Sequence, residues 1–445
     1  MIVQALTDKQ RAAILLSRSR KVTIYEGAVR SAKTITSLLD WIALVRTAPP
    51  GRLAIIGKTE RTLRNNVIGP LQDMLGKRRV AYNRGLGEIT MFGRTILVIG
   101  ANDERASDKI RGVTLAGAYV DEATILPESF WQMLLTRLSV KGSRLLATTN
   151  PDSPAHPLKV GYLDRAADHL TSTGSHVQHF GIGWSSSYDI VNNGEPNPDD
   201  PKAPLDLCRL SFVIDDNPTL DPDYRKFIRS TYVGLWFKRF ILGMWVAAEG
   251  AIYDMLTDAH QATAPTTVGQ CWLGIDYGTS NPTHAVLLAT DWVNGRLHAV
   301  AEWRHDGRAQ RALTDAELSK QLQTWVGTLK LDHEGITPIL DPSAASMRVQ
   351  MRNDGWHTQP ADNRVLDGIR SVSNLLGQNR LVIDTDKCPE LWRELQGYSW
   401  DSKAQKKGED KPLKQNDHGC DSLRYACMAA WPVWRTWTSG LQLAA

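Results

Sequence analysis

The sequence predicts an α/β protein of two domains, and three observations predict it. Residues 22–149 alternate strand-like apolar runs with helix-like periodic runs, the pattern of a mostly parallel sheet with helical crossovers. From Cys271 the order changes to three consecutive strand-like runs, then a further strand and a late helix, which marks a second α/β unit. At 445 residues the chain also exceeds what one core ordinarily serves.

Composition narrows the class. An apolar content of 42% and a charged content of 22% are those of a soluble globular protein. The five cysteines (Cys208, Cys271, Cys388, Cys420, Cys427) are odd in number and form no C-x-x-C pair, which argues for a reducing compartment and against a zinc site. No basic segment leads into an apolar run at the N-terminus, and no stretch approaches a membrane span, so a cytosolic protein is expected. The net charge of +4 is unevenly spread: residues 1–95 carry 17 Lys and Arg against 6 Asp and Glu, leaving the remainder acidic. A basic end suits a polyanion such as nucleic acid or a nucleotide, and equally an ordinary solvated surface.

Thr7-Asp8-Lys9-Gln10 before a periodic run predicts a helix over 7–18 opened by a capping box, with Thr7 as N-cap and Gln10 at N3. Residues 22–25 read as a strand and 31–45 as a helix. Between them Gly27-Ala-Val-Arg-Ser-Ala-Lys33-Thr34 fits G-x-x-x-x-G-K-[ST], except that Ala32 replaces the second glycine. Backbone N–H groups of such a turn face phosphate oxygens, Lys33 adds charge at the β/γ-phosphates, and the Thr34 hydroxyl suits Mg²⁺. Ala32 lies at the helix mouth, where right-handed backbone is expected, so its methyl group is tolerated but crowds the phosphate.

A strand over 52–57 follows Pro49-Pro50-Gly51. Gly57-Lys58-Thr59 imitates the end of the same motif, but no glycine lies five residues earlier, so it is a decoy. A hairpin-like pair of runs (87–91, 95–100) and a basic stretch (103–111) precede an apolar strand ending in Asp121-Glu122. Asp121 is placed to reach the Mg²⁺ shell, and Glu122 to orient or deprotonate the attacking water. Asp-Glu after a strand is otherwise a helix-cap signal. A helix from Pro127 carries Arg137, and a strand over 143–148 ends in Thr148-Thr149-Asn150-Pro151, a polar tip that suits the γ-phosphate or simply a turn. Residues 152–206 are turn-rich, with a loop at 192–204. A strand over 210–214 and an aromatic-rich helix over 222–238 precede a break within 257–269.

In the second half, Asp276 sits in the middle of the first strand, where a carboxylate is costly unless paired or metal-bound. Thr337-Pro-Ile-Leu-Asp341 is a second acidic strand, and Asp421 begins a helix through Ala430. Three carboxylates so distributed form a constellation that binds two divalent cations for attack on a phosphodiester. Each alone has a plainer reading, with Asp341 capping Pro342-Ser343 and Asp421 as an N-cap. Residues 402–416, with lysines at 403, 406, 407, 411 and 414, read as a mobile loop or hairpin tip able to contact DNA backbone, or as a solvated charged loop.

Together these stretches resemble the large terminase subunit of tailed bacteriophages over nearly the whole chain, from Leu6-Thr-Asp-Lys-Gln10 to about residue 430. The motifs come in order: Gly27 to Thr34, Lys109-Ile-Arg-Gly-Val-Thr, Tyr119-Val-Asp-Glu-Ala123, Leu135-Thr-Arg-Leu138, Thr148 to Pro151, Gly243-Met-Trp-Val, Gly250-Ala-Ile-Tyr253, Gly274-Ile-Asp-Tyr-Gly278, Leu340-Asp-Pro342 and Asp421-Ser-Leu-Arg-Tyr425. The resemblance implies a P-loop NTPase domain with a mostly parallel sheet over 1–255, including a linker subdomain at about 181–255. A ribonuclease-H-like α/β nuclease domain at 268–435 and a tail at 436–445 follow.

It implies ATP at Gln10 (as the adenine contact), Gly27, Arg30, Ser31, Ala32, Lys33, Thr34 and Asn150. Mg²⁺ would lie at Thr34 and Asp121, with Glu122 catalytic and Arg30 and Arg137 both candidate arginine fingers. Thr148-Thr149-Asn150 looks like the motif that couples hydrolysis to movement. Asp276, Asp341 and Asp421 look like the nuclease carboxylates for two Mg²⁺ or Mn²⁺, joined by His418 and by Asp417, an extra carboxylate. The expected activity is ATP-driven translocation of double-stranded viral DNA into a procapsid, with metal-dependent endonucleolytic cutting of the concatemer. The expected partners are portal protein, small terminase subunit and a ring of like chains, monomeric in solution, in the host cytoplasm and away from membranes. Two rivals share these residues: a helicase-like or repair enzyme, and a catalytically silent prophage-derived scaffold that binds DNA or portal.

Overall fold

The computed structural model describes residues 6–178, 203–278, 281–307 and 310–437. The chain divides into two compact units, one of residues 1–222 and 237–247, the other of residues 223–236 and 248–444. The predicted loop at 192–204 lies almost wholly outside the described residues, as do the start of the predicted linker subdomain and most of the predicted tail.

Ten strands build the sheet of the first unit: β1 (Val22–Gly27), β2 (Arg52–Gly57), β3 (Val80–Asn83), β4 (Glu88–Met91), β5 (Arg94–Gly100), β6 (Leu115–Val120), β7 (Arg144–Thr149), β8 (Ala166–Leu170), β9 (His176–Gln178) and β10 (Leu205–Phe212). Their order is β3-β4-β5-β2-β6-β7-β1-β10-β8-β9. The pairings from β5 across to β8 are parallel, while β3, β4 and β9 join antiparallel at the margins. The central strands are buried along almost their whole length because helices cover both faces, and β6 is apolar throughout for that reason. β1 and β6 are separated only by β7, so their carboxyl ends share one edge. This is where an open parallel sheet forms its ligand crevice.

The second unit holds β11 (Gln270–Asp276), β12 (Thr283–Asp291), β13 (Arg296–His305), β14 (Gly335–Leu340), β15 (Gln359–Pro360) and β16 (Leu381–Ile383), in the order β15-β14-β11-β12-β13-β16. The β11-β12-β13 meander is antiparallel, and β14 then returns parallel to β11. That is the ribonuclease-H-like arrangement. The helix His418–Ala429 packs on β11 and β12 so closely that a Cβ at Gly274 would stand 1.9 Å from the Ser422 carbonyl oxygen.

Several local expectations change. The helix expected from Ser31 starts at Lys33, and its N-cap Ala32 is left-handed (φ 66°, ψ 7°), not right-handed. The helix expected over 222–238 ends at Thr231 and continues after Gly234 as a short turn and a π-helical segment, Phe237–Ile241, because Gly234 has φ 53°. Asp276 closes β11 instead of lying in its middle, and the last helix begins at His418, three residues before Asp421. The 402–416 stretch contains a helix, Ser402–Gln405, whose N-cap Asp401 accepts bonds from the Lys403 and Ala404 N–H groups. Strand β3 falls outside the expected runs, since Val80-Ala-Tyr-Asn lies in a basic, polar context. Among the described residues no helix is long and apolar enough to cross a membrane.

Candidate functional site

In the first unit the site begins where β1 ends. Gly27 (φ 135°) is required by space as well as conformation, because a Cβ there would stand 1.9 Å from the Phe212 carbonyl oxygen. The turn is tied down by Ala28 N–H to Phe212 O (2.9 Å) and Val29 N–H to Phe240 O (2.8 Å). Arg30 (φ 56°) and Ala32 (φ 66°) make the remaining left-handed steps. Ser31 Oγ is buried and has no hydrogen-bond partner, an orphan that a phosphate oxygen would satisfy. Thr34 follows as the second residue of the helix Lys33–Thr47.

Lys33 is only 6% exposed. Its Nζ donates to Ala28 O (3.1 Å) and to Asn150 Oδ1 (2.6 Å). Burial pushes its ammonium below the usual lysine range, against the pull of Glu122 and Asp121.

Facing it, β6 delivers Asp121 and Glu122. Asp121 accepts from Thr148 Oγ1 (3.2 Å) and from Asn66 Nδ2 (3.3 Å). Glu122 stands in left-handed backbone (φ 57°) and accepts from the Asn150 backbone N–H (2.7 Å), Asn150 Nδ2 (2.9 Å) and Thr124 Oγ1 (3.1 Å). Burial raises both carboxyls above the usual range. Asn150 therefore touches Lys33 with its oxygen and Glu122 with its nitrogens.

Gln10 is buried and forms the capping box, its Oε1 accepting from the Thr7 N–H at 2.9 Å. The two arginines part company. Arg30 is exposed on the phosphate turn, with its carbonyl held by Asn217 Nδ2 (2.8 Å). Arg137 ends the helix Glu128–Arg137, which runs from the carboxyl end of β6 back toward the amino end of β7. A helix of that length spans about 15 Å. Arg137 thus lies away from the phosphate turn of its own chain, and its guanidinium bonds Thr136 Oγ1 (2.9 Å).

In the second unit Asp276 Oδ2 meets His418 Nδ1 at 2.7 Å, and the Asp276 backbone N–H donates to Ser422 Oγ (3.0 Å). Burial raises the Asp276 carboxyl, opposed by His418. The same hydrogen bond raises the His418 imidazole. Asp341 accepts the Ser343 N–H (2.7 Å), as the plainer reading had it, and also the Tyr425 hydroxyl (3.3 Å). Asp417 and Asp421 share Lys414, whose Nζ lies 3.0 and 3.1 Å from them, while Arg424 holds the other Asp421 oxygen (2.9 Å).

The predicted ligands therefore do not stand as a closed cage: among the described residues no three His, Cys, Asp or Glu side chains are grouped to hold a metal ion. The physical reason is visible. One nitrogen of His418 is spent on Asp276, and Asp417 and Asp421 are paired with Lys414 and Arg424. A cation would nonetheless suit the site, because Asp417 and Asp421 converge on one positive charge, the exposed Lys414 ammonium, which stands where a cation would be held.

Sequence reasoning missed Asn66, quoted Ser422 and Tyr425 only as part of the motif Asp421 to Tyr425 without a role, and gave Lys414 only a place in the basic loop. It also missed a buried charged cluster beneath the 418–429 helix, made of His284, Glu302 and Glu394. A lone histidine within the apolar run of β12 was the available signal for it.

A family model described as terminase large subunit, T4likevirus-type, N-terminal, matches residues 24–256. The solved large terminase of a thermophilic bacteriophage is 34% identical, covers 95% of this chain and 98% of its own, and superposes with a TM-score of 0.77. The chain belongs to the large terminase family. The same phage's terminase in complex with ADP gives 34% identity, 94% and 98% coverage and a TM-score of 0.75. With ATP-γ-S it gives 33%, 95% and 98%, and 0.74. A comparison with curated protein sequences gave no match. As a large terminase, the chain couples an ATPase half to a DNA endonuclease half and serves the packaging and cutting of DNA. The helicase-like, repair and silent-scaffold readings are not favoured.

Proposed function

We propose that ATP is the nucleotide and that the turn Gly27 to Thr34 holds its phosphates, with Lys33 and the orphaned Ser31 hydroxyl as the side-chain contacts. The relative from the thermophilic phage has been solved with ADP and with ATP-γ-S, which supports this reading. Thr34 and Asp121 would hold Mg²⁺, which when bound neutralises developing phosphate charge. Glu122 orients and deprotonates the attacking water, and its raised carboxyl is poised to accept that proton. The observation that carries the reading is the Asn150 side chain joining Lys33 to Glu122. Phosphate taking Lys33 releases the Asn150 carboxamide, and that release is the first movement of the Thr148-Thr149-Asn150 coupling motif. Arg30, exposed on the phosphate turn, serves as the arginine finger within the chain. Gln10 contacts adenine from its capped helix.

In the second half, Asp276, Asp341, Asp417, Asp421 and His418 would hold two Mg²⁺ or Mn²⁺, which supply charge stabilisation for phosphodiester cleavage. The convergence of Asp417 and Asp421 on one positive charge, the Lys414 ammonium, supports this. The working limits are a motor domain at 1–255 with a linker subdomain at about 181–255, a nuclease domain at 268–435 and a tail at 436–445. The motor would act in the host cytoplasm on double-stranded viral DNA, as a ring on the portal protein, with the small terminase subunit as a further partner.

The test is ATP turnover of the full chain beside Lys33→Ala, with Mn²⁺-dependent plasmid cleavage beside Asp276→Ala. Each substitution should abolish its own activity and spare the other. Activities indistinguishable from those of the variants would overturn the assignment.

A further inference from the structure

The helix that brings His418 and Asp421 to the nuclease site starts without help from its own cap. Its N-cap residue, Asp417, makes no side-chain bond to the first turn. Asp is among the residues best suited to that bond, and the first N–H groups of a helix need an acceptor. The acceptor comes from elsewhere: Glu394, in the helix Pro389–Gly397, takes the Gly419 N–H on Oε2 at 2.5 Å.

Glu394 is 6% exposed and is held by a deeper set of charges. His284, fully buried on β12, faces Glu394 with Nδ1 (3.7 Å) and bonds Glu302 Oε2 with Nε2 (2.9 Å). Glu302 in turn accepts the Glu390 and Leu391 N–H groups (2.7 and 2.8 Å), which fixes the start of the helix bearing Glu394. Space for the contact exists because residue 419 is glycine: a Cβ there would stand 2.7 Å from His284 Cε1 and 2.8 Å from Glu394 Oε2. Three buried ionisable groups in a core are costly unless they do something that apolar packing would not. None of them takes part in the chemistry above.

We propose that Glu394 is a positioning residue that caps the His418–Ala429 helix in place of Asp417, so that the Asp417 carboxylate stays beside Asp421 at the Lys414 ammonium, where a divalent cation would displace the lysine. This rests on the reading that the acidic site takes such a cation. Glu394 touches no substrate. It acts through the helix start, keeping Asp417 turned toward Asp421 instead of folding back onto its own N–H groups.

The test is Mn²⁺ binding to the full-length chain by titration calorimetry, with MnCl₂ alone as probe. Wild type and Asp276→Asn first establish whether the site binds Mn²⁺; no binding in wild type would overturn the underlying metal reading itself. Given binding, Glu394→Ala should weaken it about tenfold, as loss of a supporting residue behind a ligand does. Glu394→Gln keeps an oxygen for the Gly419 N–H and should stay within about twofold of wild type. Affinity unchanged in Glu394→Ala, or lost equally in Glu394→Gln, would overturn the proposal. If Glu394→Ala does not fold, Asp417→Ala decides. Because its side chain caps nothing and its ion pair is with the exposed Lys414, Tm should stay within about 3 °C of wild type while Mn²⁺ affinity falls, and a larger drop in Tm would contradict the proposal.

Discussion

Ala32 is where a single side chain sets a measurable tension. Its left-handed backbone is conformation that an L-residue with a Cβ adopts at a cost of about 1–2 kcal/mol, partly offset by the freedom glycine loses on folding. Ala32→Gly should therefore stabilise the ATPase half by about 1 kcal/mol or somewhat less, measured as a shift in its urea midpoint. A destabilised variant would mean that the turn is not left-handed at 32. Sequence spacing identified the residue as the motif's exception but assigned it the wrong backbone, because a motif states which residue is usual and not which φ the turn demands. Asn150 is a second such case. Its place at a strand tip was legible, but its contact with both Lys33 and Glu122 depends on β7 lying between β1 and β6, which only the sheet order reveals. Asn150→Ala should lower ATP turnover by about 10²-fold, the low end of what a positioned acid–base group supplies. Nucleotide affinity should change far less; equal losses in both would make Asn150 a binding residue only.

At the scale of elements, strand ends were legible where an apolar run met a polar tip, as at Asp121 and Thr149. They were not legible where charge masked a strand, as at Val80–Asn83. The cluster joining β12, β13 and the helix Pro389–Gly397 was also hidden, since Glu302 and Glu394 look like surface residues until packing buries them. Burial alone would lower the His284 pKa, but Glu302 and Glu394 outweigh it and raise it to about 9. A group raised on folding gives stability that is complete below its unfolded pKa, near 6.5, and is lost as pH rises through the folded value. The nuclease half should therefore lose stability between about pH 6.5 and 9, and His284→Gln should flatten that dependence while lowering stability at neutral pH. Urea midpoints across that range check it; an unchanged slope in the variant would assign the loss to another group.

On the scale of the whole molecule, the order of elements was the most legible feature, because alternation and a three-strand meander each restrict topology to a few choices. What lay beyond reach was convergence: Lys414 beside Asp417 and Asp421 joins a loop to a helix start by geometry that composition does not encode. The basic charge of residues 1–95 predicts DNA contact through phosphates, with little sequence preference. Binding of unrelated duplexes should be equal within a few-fold and fall steeply and linearly in log–log form with salt. A strong sequence preference at constant salt would contradict it.

ATP hydrolysis rests on Glu122, held by Asn150 opposite Lys33. It is tested most directly by ATP turnover and nucleotide affinity in Glu122→Gln of the full chain. Turnover should fall at least about 10²-fold with nucleotide still bound near wild-type affinity. Turnover within a few-fold of wild type would contradict it.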